Sequence, residues 1–257
     1  MMRVLALLCV LFFSTDLAAA TSVPVTASGN VHNPGSYLLP ADSRLSRLLL
    51  TADPTEDAYM LGAALLRERA RIEQTRWKAG LLFDLEQLSR QPQNSAELSA
   101  TLVQMTRSFA RMPVTGRVSY LLEPRALEAS RERDLPAQAG DQVFYPARPG
   151  TITLTGAVMT DCQPAHVALQ SPASYLKRCA TSIGASPDHV HVIQADGHVE
   201  RLGIAAWNRD APSSLAPGAI LFIPLADAVV RKAAPRFNED AARFLATQLL
   251  PAPGTAP

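Results

Sequence analysis

Arg117 is the side chain with the clearest chemical promise in this sequence. It follows Gly116 in Val-Thr-Gly-Arg-Val-Ser-Tyr, residues 114–120, an otherwise neutral run with strand character. A guanidinium in that setting either pairs with a carboxylate or lies exposed, the commoner outcomes, or it projects into a polar cleft able to hold oxygen-rich ligands. Tyr120 on the same strand and Tyr145 on a later one could supply the flat apolar surface that sugar rings use, and their spacing equally suits a small core.

His189 and His191 stand two apart in a strand-like run, hence on one face, as a metal pair would. A two-residue turn at Asp196-Gly197 would set His191 opposite Leu202 and leave His198 four residues, about 13 Å, farther along the strand, too far to complete a site. An exposed strand face is the simpler expectation, with no metal and no cofactor. The sequence holds no Gly-x-Ser-x-Gly elbow, phosphate-binding glycine loop, dinucleotide fingerprint or His-Glu-x-x-His helix. Its acidic residues are scattered singly or along helix faces, and no catalytic residue is assigned.

Two similar stretches are expected to position these groups. Residues 23–40 and the run from Thr151 both pass from alternating β-branched residues through a glycine and a turn-rich patch into a second short apolar run, which reads as a strand-turn-strand hairpin. Each copy also closes alike, Gly-Asp-Gln-Val-Phe-Tyr-Pro at 140–146 and Gly-Ala-Ile-Leu-Phe-Ile-Pro at 218–224, with a glycine turn before an apolar strand stopped by proline. Matched openings and closings imply a duplicated small domain, a roll in which a hairpin is crossed at once by a helix, Arg44 to Leu50 in the first copy and Ser174 to Ala180 in the second. The apolar run at 60–67 fits a buried strand or the start of a helix.

Between the early and late strands of the first copy, two amphipathic helices joined by the turn at 91–95 make an antiparallel hairpin at about 68–112. Leu98, Leu102, Met105, Phe109 and Met112 recur at alternating four- and three-residue steps, the seam of a helix leaning on a neighbour. A last helix, 236–250, carries Phe237, Ala241, Phe244, Leu245 and Leu249 as one stripe, which either packs back on the protein or faces a partner or a membrane surface. At the other end Arg3, an apolar run from Val4 to Phe13 and Ala18-Ala19-Ala20 read as a secretory signal peptide, residues 1–20, cleaved near Ala20. Export then leaves Cys162 and Cys179 to form a disulfide. A formal net charge of +1 without a basic run gives no electrostatic footprint for nucleic acid.

Ser-Gly-Asn-Val-His-Asn-Pro-Gly-Ser-Tyr (28–37), Gly-Ala-Ala-Leu-Leu-Arg (62–67), Val-Thr-Gly-Arg-Val (114–118) and the closing segment at 140–146, in that order, resemble the GfcC family of periplasmic proteins of capsule and exopolysaccharide operons. The opening and closing segments are also similar to the soluble β-grasp ligand-binding (SLBB) modules of Wza-type export proteins. The resemblance implies an α+β fold of two tandem β-grasp domains, 21–148 with the helical insertion and 149–226, and a terminal amphipathic helix. It implies a non-enzymatic periplasmic role in capsule assembly or export, with polysaccharide or outer-membrane export proteins as partners and an arginine at the place of Arg117 lining a ligand site. A glycan-acting enzyme centred on Arg117 and a purely structural scaffold are the alternatives. In the second copy Asp-Cys-Gln-Pro (161–164) stands where the first has Asn-Pro-Gly, and a Cys162–Cys179 link would tie that altered turn to the crossing helix.

Overall fold

The structure, a computed structural model, describes residues 22–211 and 213–251. The expected signal peptide, 1–20, lies outside the described residues. The chain opens with an antiparallel hairpin, β1 (Ser22–Gly29) and β2 (Gly35–Pro40), crossed by α1 (Leu45–Ala52). The run at 60–67 resolves into a tight turn and a strand, β3 (Ala64–Leu66). The helical hairpin follows as α2 (Glu68–Ser89) and α3 (Ala96–Arg111), the latter capped by Ser95, whose hydroxyl accepts from the Leu98 amide. The chain returns to the sheet at β4 (Arg117–Val118), turns through α4 (Pro124–Glu128) and closes at β5 (Gln142–Tyr145). The second copy runs β6 (Thr153–Gly156), α5 (Pro172–Leu176), β7 (His189–Ile193), β8 (Val199–Gly203) and β9 (Ile220–Ile223), and ends in α6 (Asp227–Val230) and α7 (Phe237–Leu245).

These elements form two mixed sheets, ordered β2-β1-β5-β3-β4 and β6-β9-β7-β8. The opening strand pairs parallel with the closing strand in each, β1 with β5 and β6 with β9, and an antiparallel pair continues outward. The fold is α+β, two β-grasp sheets in tandem with a terminal helix. The copies share backbone detail at the strand ends. Gly29 and Gly156 both have positive φ, and a Cβ on either would fall 2.1 Å from the Tyr145 carbonyl oxygen or 2.3 Å from that of Ile223. The next amide in each case, Asn30 or Ala157, donates to that same carbonyl. Among the described residues the second copy lacks a counterpart of β2. Isolated bridges Leu154↔Cys162 and Thr151↔Ala165 stand in its place, and the Cys162–Cys179 disulfide, with Cα atoms 6.4 Å apart, ties the altered turn to the chain after α5. Closing a loop of this length contributes on the order of 3 kcal/mol.

Long-range side chains lock the first sheet. The N-terminus of α1 is capped by Asp134, whose carboxylate accepts from the Ser46 amide and hydroxyl, rather than by the neighbouring Asp42 or Ser43. Arg67, at the end of β3, makes a two-pronged pair with the buried Asp141 before β5, 3.0 Å on each prong. Leu45, Leu48, Leu49 and Ala52 of α1 then close over Val25, Leu65 and Val143.

The helical hairpin is inserted between strands of the first sheet, yet its apolar seam belongs to the second core. Leu81, Leu85, Leu88, Leu102, Met105 and Phe109 pack with Val190, Val192, Leu221 and Phe222 and with α7. Phe109 sits at the meeting point, its ring centroid 6.5 Å from Phe222, 6.2 Å from Phe237 and 6.3 Å from Phe244. The terminal stripe therefore has an internal destination. Phe237, Phe244 and Leu245 are buried and Leu249, past the helix end, is half-buried, so of the two readings of this stripe the structure takes packing back on the protein over a partner or membrane face. Asn238 fastens α7, its side chain donating to the Leu225 carbonyl and accepting from the Leu225 amide. Among the described residues no helix is long and apolar enough to cross a membrane. Phe109→Ala should cost roughly 3–5 kcal/mol in urea unfolding. It should also expose the chain near α7 to limited proteolysis, and a change below 1 kcal/mol would show that the three elements are not joined through this ring.

Candidate functional site

Arg117 leaves β4 toward the second sheet. Gly116 holds positive φ, and a Cβ there would fall 2.7 Å from the Arg67 carbonyl oxygen, so this bend admits glycine alone. The buried Gln74 of α2 braces the bend, accepting from the Gly116 amide at 2.7 Å and donating to the Arg117 carbonyl at 2.8 Å. Only 6% exposed, the Arg117 guanidinium donates to the Gln248 carbonyl at 2.9 Å through Nη1 and to the Ala195 carbonyl through Nη2. Its Nε has no hydrogen-bond partner among the described residues. Burial lowers its pKa, and the charge of Asp196 in the β7-β8 turn partly offsets that. Arg117 thus clasps three pieces of chain: the edge of the first sheet, the outer turn of the second and the segment after α7.

Two clefts open beside it. One, of about 250 Å³, sets Arg117, Thr153, Asp161, Gln194 and Gln248 around an apolar floor that includes Met112 and Ile193. In its wall the Ser108 hydroxyl of α3 donates to Asp161 Oδ2 at 2.8 Å, while Asp161 Oδ1 is buried without a hydrogen-bond partner among the described residues. The other, of about 340 Å³, runs along α2 and is lined by Arg117, Gln74, Trp77, Ser119, Arg243 and Thr247. Guanidinium, amide, hydroxyl and carboxylate groups over apolar patches suit a ligand rich in hydroxyls and oxygen acceptors.

The tyrosines do not join this arrangement. Tyr145 is fully buried in the first core, its hydroxyl donating to the Leu122 carbonyl at 2.7 Å, and burial raises its pKa. That corrects the expectation of a sugar-stacking ring. Val143 and Tyr145 alternate onto the inner face of β5, so the side chain fills the core. Tyr120 is half-buried against the same core and lines a separate depression of about 410 Å³ with Met60, Leu61, Asp196 and His198.

The histidines correct a second expectation. The β7-β8 loop has three residues: Ile193 pairs with Val199, and the Gln194 amide donates to the His198 carbonyl around Ala195, Asp196 and a positive-φ Gly197. The one-residue shift puts Arg201, not Leu202, opposite His191. His189 and His191 do share a face, but that face is covered, because every residue of β7 is buried and α7 packs against it. Ser186 Oγ lies 3.1 Å from His189 Nδ1 and also accepts from the Asp188 and His189 amides, so the pair braces a turn. The His191 ring lies 5.9 Å from that of Phe222. Among the described residues no group of three or more His, Cys, Asp or Glu could hold a metal ion.

Burial, then the neighbouring His189 and Arg201, hold His191 down to about 4 from an ordinary 6.5. The unfolded chain therefore takes up this proton before the folded one does. Its contribution to stability is complete above about pH 6.5 and is lost as pH falls toward 4, by on the order of 3 kcal/mol. Urea midpoints measured from pH 7 to pH 4 should fall less steeply for His191→Phe than for the parent. Equal slopes would assign the acid sensitivity to other groups.

Two family models match the chain. Residues 19–149 match "Capsule biosynthesis GfcC, N-terminal" and residues 162–250 match "Capsule biosynthesis GfcC C-terminal". The chain is also 25% identical over 195 residues, 76% of its own length and 78% of the relative's, to a protein of Escherichia coli (strain K12) described as uncharacterized protein YjbG.

Proposed function

Since the chain belongs to the GfcC capsule-biosynthesis family, with matches over most of its length, we propose that it is a periplasmic accessory protein that binds capsule or exopolysaccharide, the export apparatus, or both, without transforming the glycan. The observation that carries this reading is the setting of Arg117, a buried guanidinium held by two carbonyls at the wall of two clefts. Charge-assisted donors, amides and hydroxyls around an apolar floor match the alternation of hydroxyl and ring faces in a sugar chain. Because the terminal apolar stripe is engaged internally, partner contact falls to the clefts and the outer faces of the sheets rather than to α7.

Deleting the gene should change the ratio of surface to intracellular polysaccharide, and a plasmid copy should restore it. Copies carrying Arg117→Gln, or Gln163→Ala in the lining of the 250 Å³ cleft, each accumulating to the parent's level, should restore it incompletely. Unchanged polysaccharide in the deletion strain would remove the reading. Full restoration by both variants would take the clefts out of it.

A further inference from the structure

Trp77 stands in α2 one turn before the buried Leu81, at the edge of the core-facing stripe, and is 44% exposed. One turn on is Gly80, inside a 22-residue helix, where glycine is the poorest helix former after proline. Neither explanation usual for such a glycine holds here. Its φ is not positive, and a Cβ at this position would meet nothing within 4 Å. What the missing side chain does is keep open a pocket of about 400 Å³ between α2 and the junction of α6 with α7, in whose wall Trp77 and Gly80 both lie.

The rest of that wall sets charged groups beside the apolar Leu81, Ala233, Ala234 and Pro235. Arg76 and Asp84 come from α2, and Arg236, Asp240 and Arg243 from the facing segment. Asp240 is matched by Arg236 at 3.5 Å and Arg243 at 3.7 Å, while Arg76 has no carboxylate partner among the described residues. Burial, and then the charge of Asp240, raises the pKa of Asp84, as expected where two carboxylates share one recess. Guanidinium groups thus outnumber carboxylates beside an indole face, in a volume within the range of small-ligand sites. Trp77 and Arg243 also line the adjoining 340 Å³ cleft, so the two recesses meet at these side chains.

We propose that this groove is a subsite for an acidic sugar unit, its ring stacked on Trp77, its carboxylate held by Arg76 and Arg243 and its hydroxyls donating to Asp84. The inference rests on the glycan-binding reading above and adds to it a ligand class and residues away from Arg117. Planar guanidinium groups match a carboxylate in two-pronged fashion, and an indole presents the apolar face that a pyranose ring can cover.

The protein spanning residues 21–257 and carrying Trp207→Phe, which leaves Trp77 as the single tryptophan, would be titrated with hyaluronan hexasaccharide and with uncharged cellohexaose, by fluorescence and by calorimetry. We expect a saturable Trp77 signal with the acidic chain only. Affinity should fall at least tenfold in Gly80→Leu, which fills the pocket while leaving Tm unchanged or higher, and several-fold in Arg76→Gln. Calorimetric binding that Gly80→Leu leaves intact would overturn the subsite and spare the glycan-binding reading. Equal binding of cellohexaose would overturn the acidic class. No heat and no signal with either sugar would overturn the subsite and count against the reading beneath it.

Discussion

Everything described above depends on where the α2-α3 hairpin puts Phe109. The hairpin leaves the first sheet after β3 and rejoins it at β4, and between those points it places one aromatic ring against Phe222 of the second sheet and Phe237 and Phe244 of α7. Edge-on and tilted aromatic contacts of this kind add to the burial of the rings themselves. Because both ends of the hairpin are anchored in one sheet and its seam lies in the core of the other, the two sheets are joined through the hairpin rather than a bare linker. Arg117 adds a polar clasp at the same junction, and the clefts beside it are defined by elements from both sides.

Much of the frame was legible in the sequence because it rests on local rules. The matched glycine turns at the strand ends, the alternation into the closing strands and the heptad-like seam of α3 all report which face of an element is buried. None of them reports what that face is buried against. The seam was readable at Leu102, Met105 and Phe109, but its partners lie in strands more than 80 residues on. The stripe of α7 was readable in the same way, and its internal destination depends on Asn238 gripping the backbone of Leu225, a contact with no pattern to announce it. Arg117 attracted notice as a charge in a neutral strand, while its carbonyl partners stand 78 and 131 residues away. His189 and His191 were placed on one face by period two, and the face was assigned to solvent because nothing local shows that α7 covers it. Gly80 is the reverse case, an unremarkable letter in the sequence that carries meaning only once its surroundings are seen to be empty.

The recognition proposed for this junction has a physical rationale. A guanidinium already held by two backbone carbonyls loses little freedom when a ligand arrives, so less of the binding energy goes into ordering it. Membership in a capsule-biosynthesis family gives the setting in which hydroxyl-rich ligands are abundant. The Cys162–Cys179 disulfide adjoins Asp161 in the chain, and Met112 packs against the core that holds the aromatic cluster.

Native-state hydrogen exchange tests the hairpin's membership of the second core most directly. Amides of α3 and α7 should open together with those of β7 and β9, at one free energy and with one denaturant dependence, since they belong to a single cooperative unit. Should α2 and α3 exchange instead with the first sheet, or open alone at a much lower free energy, the hairpin would be an appendage and the junction that frames the clefts would not exist as described.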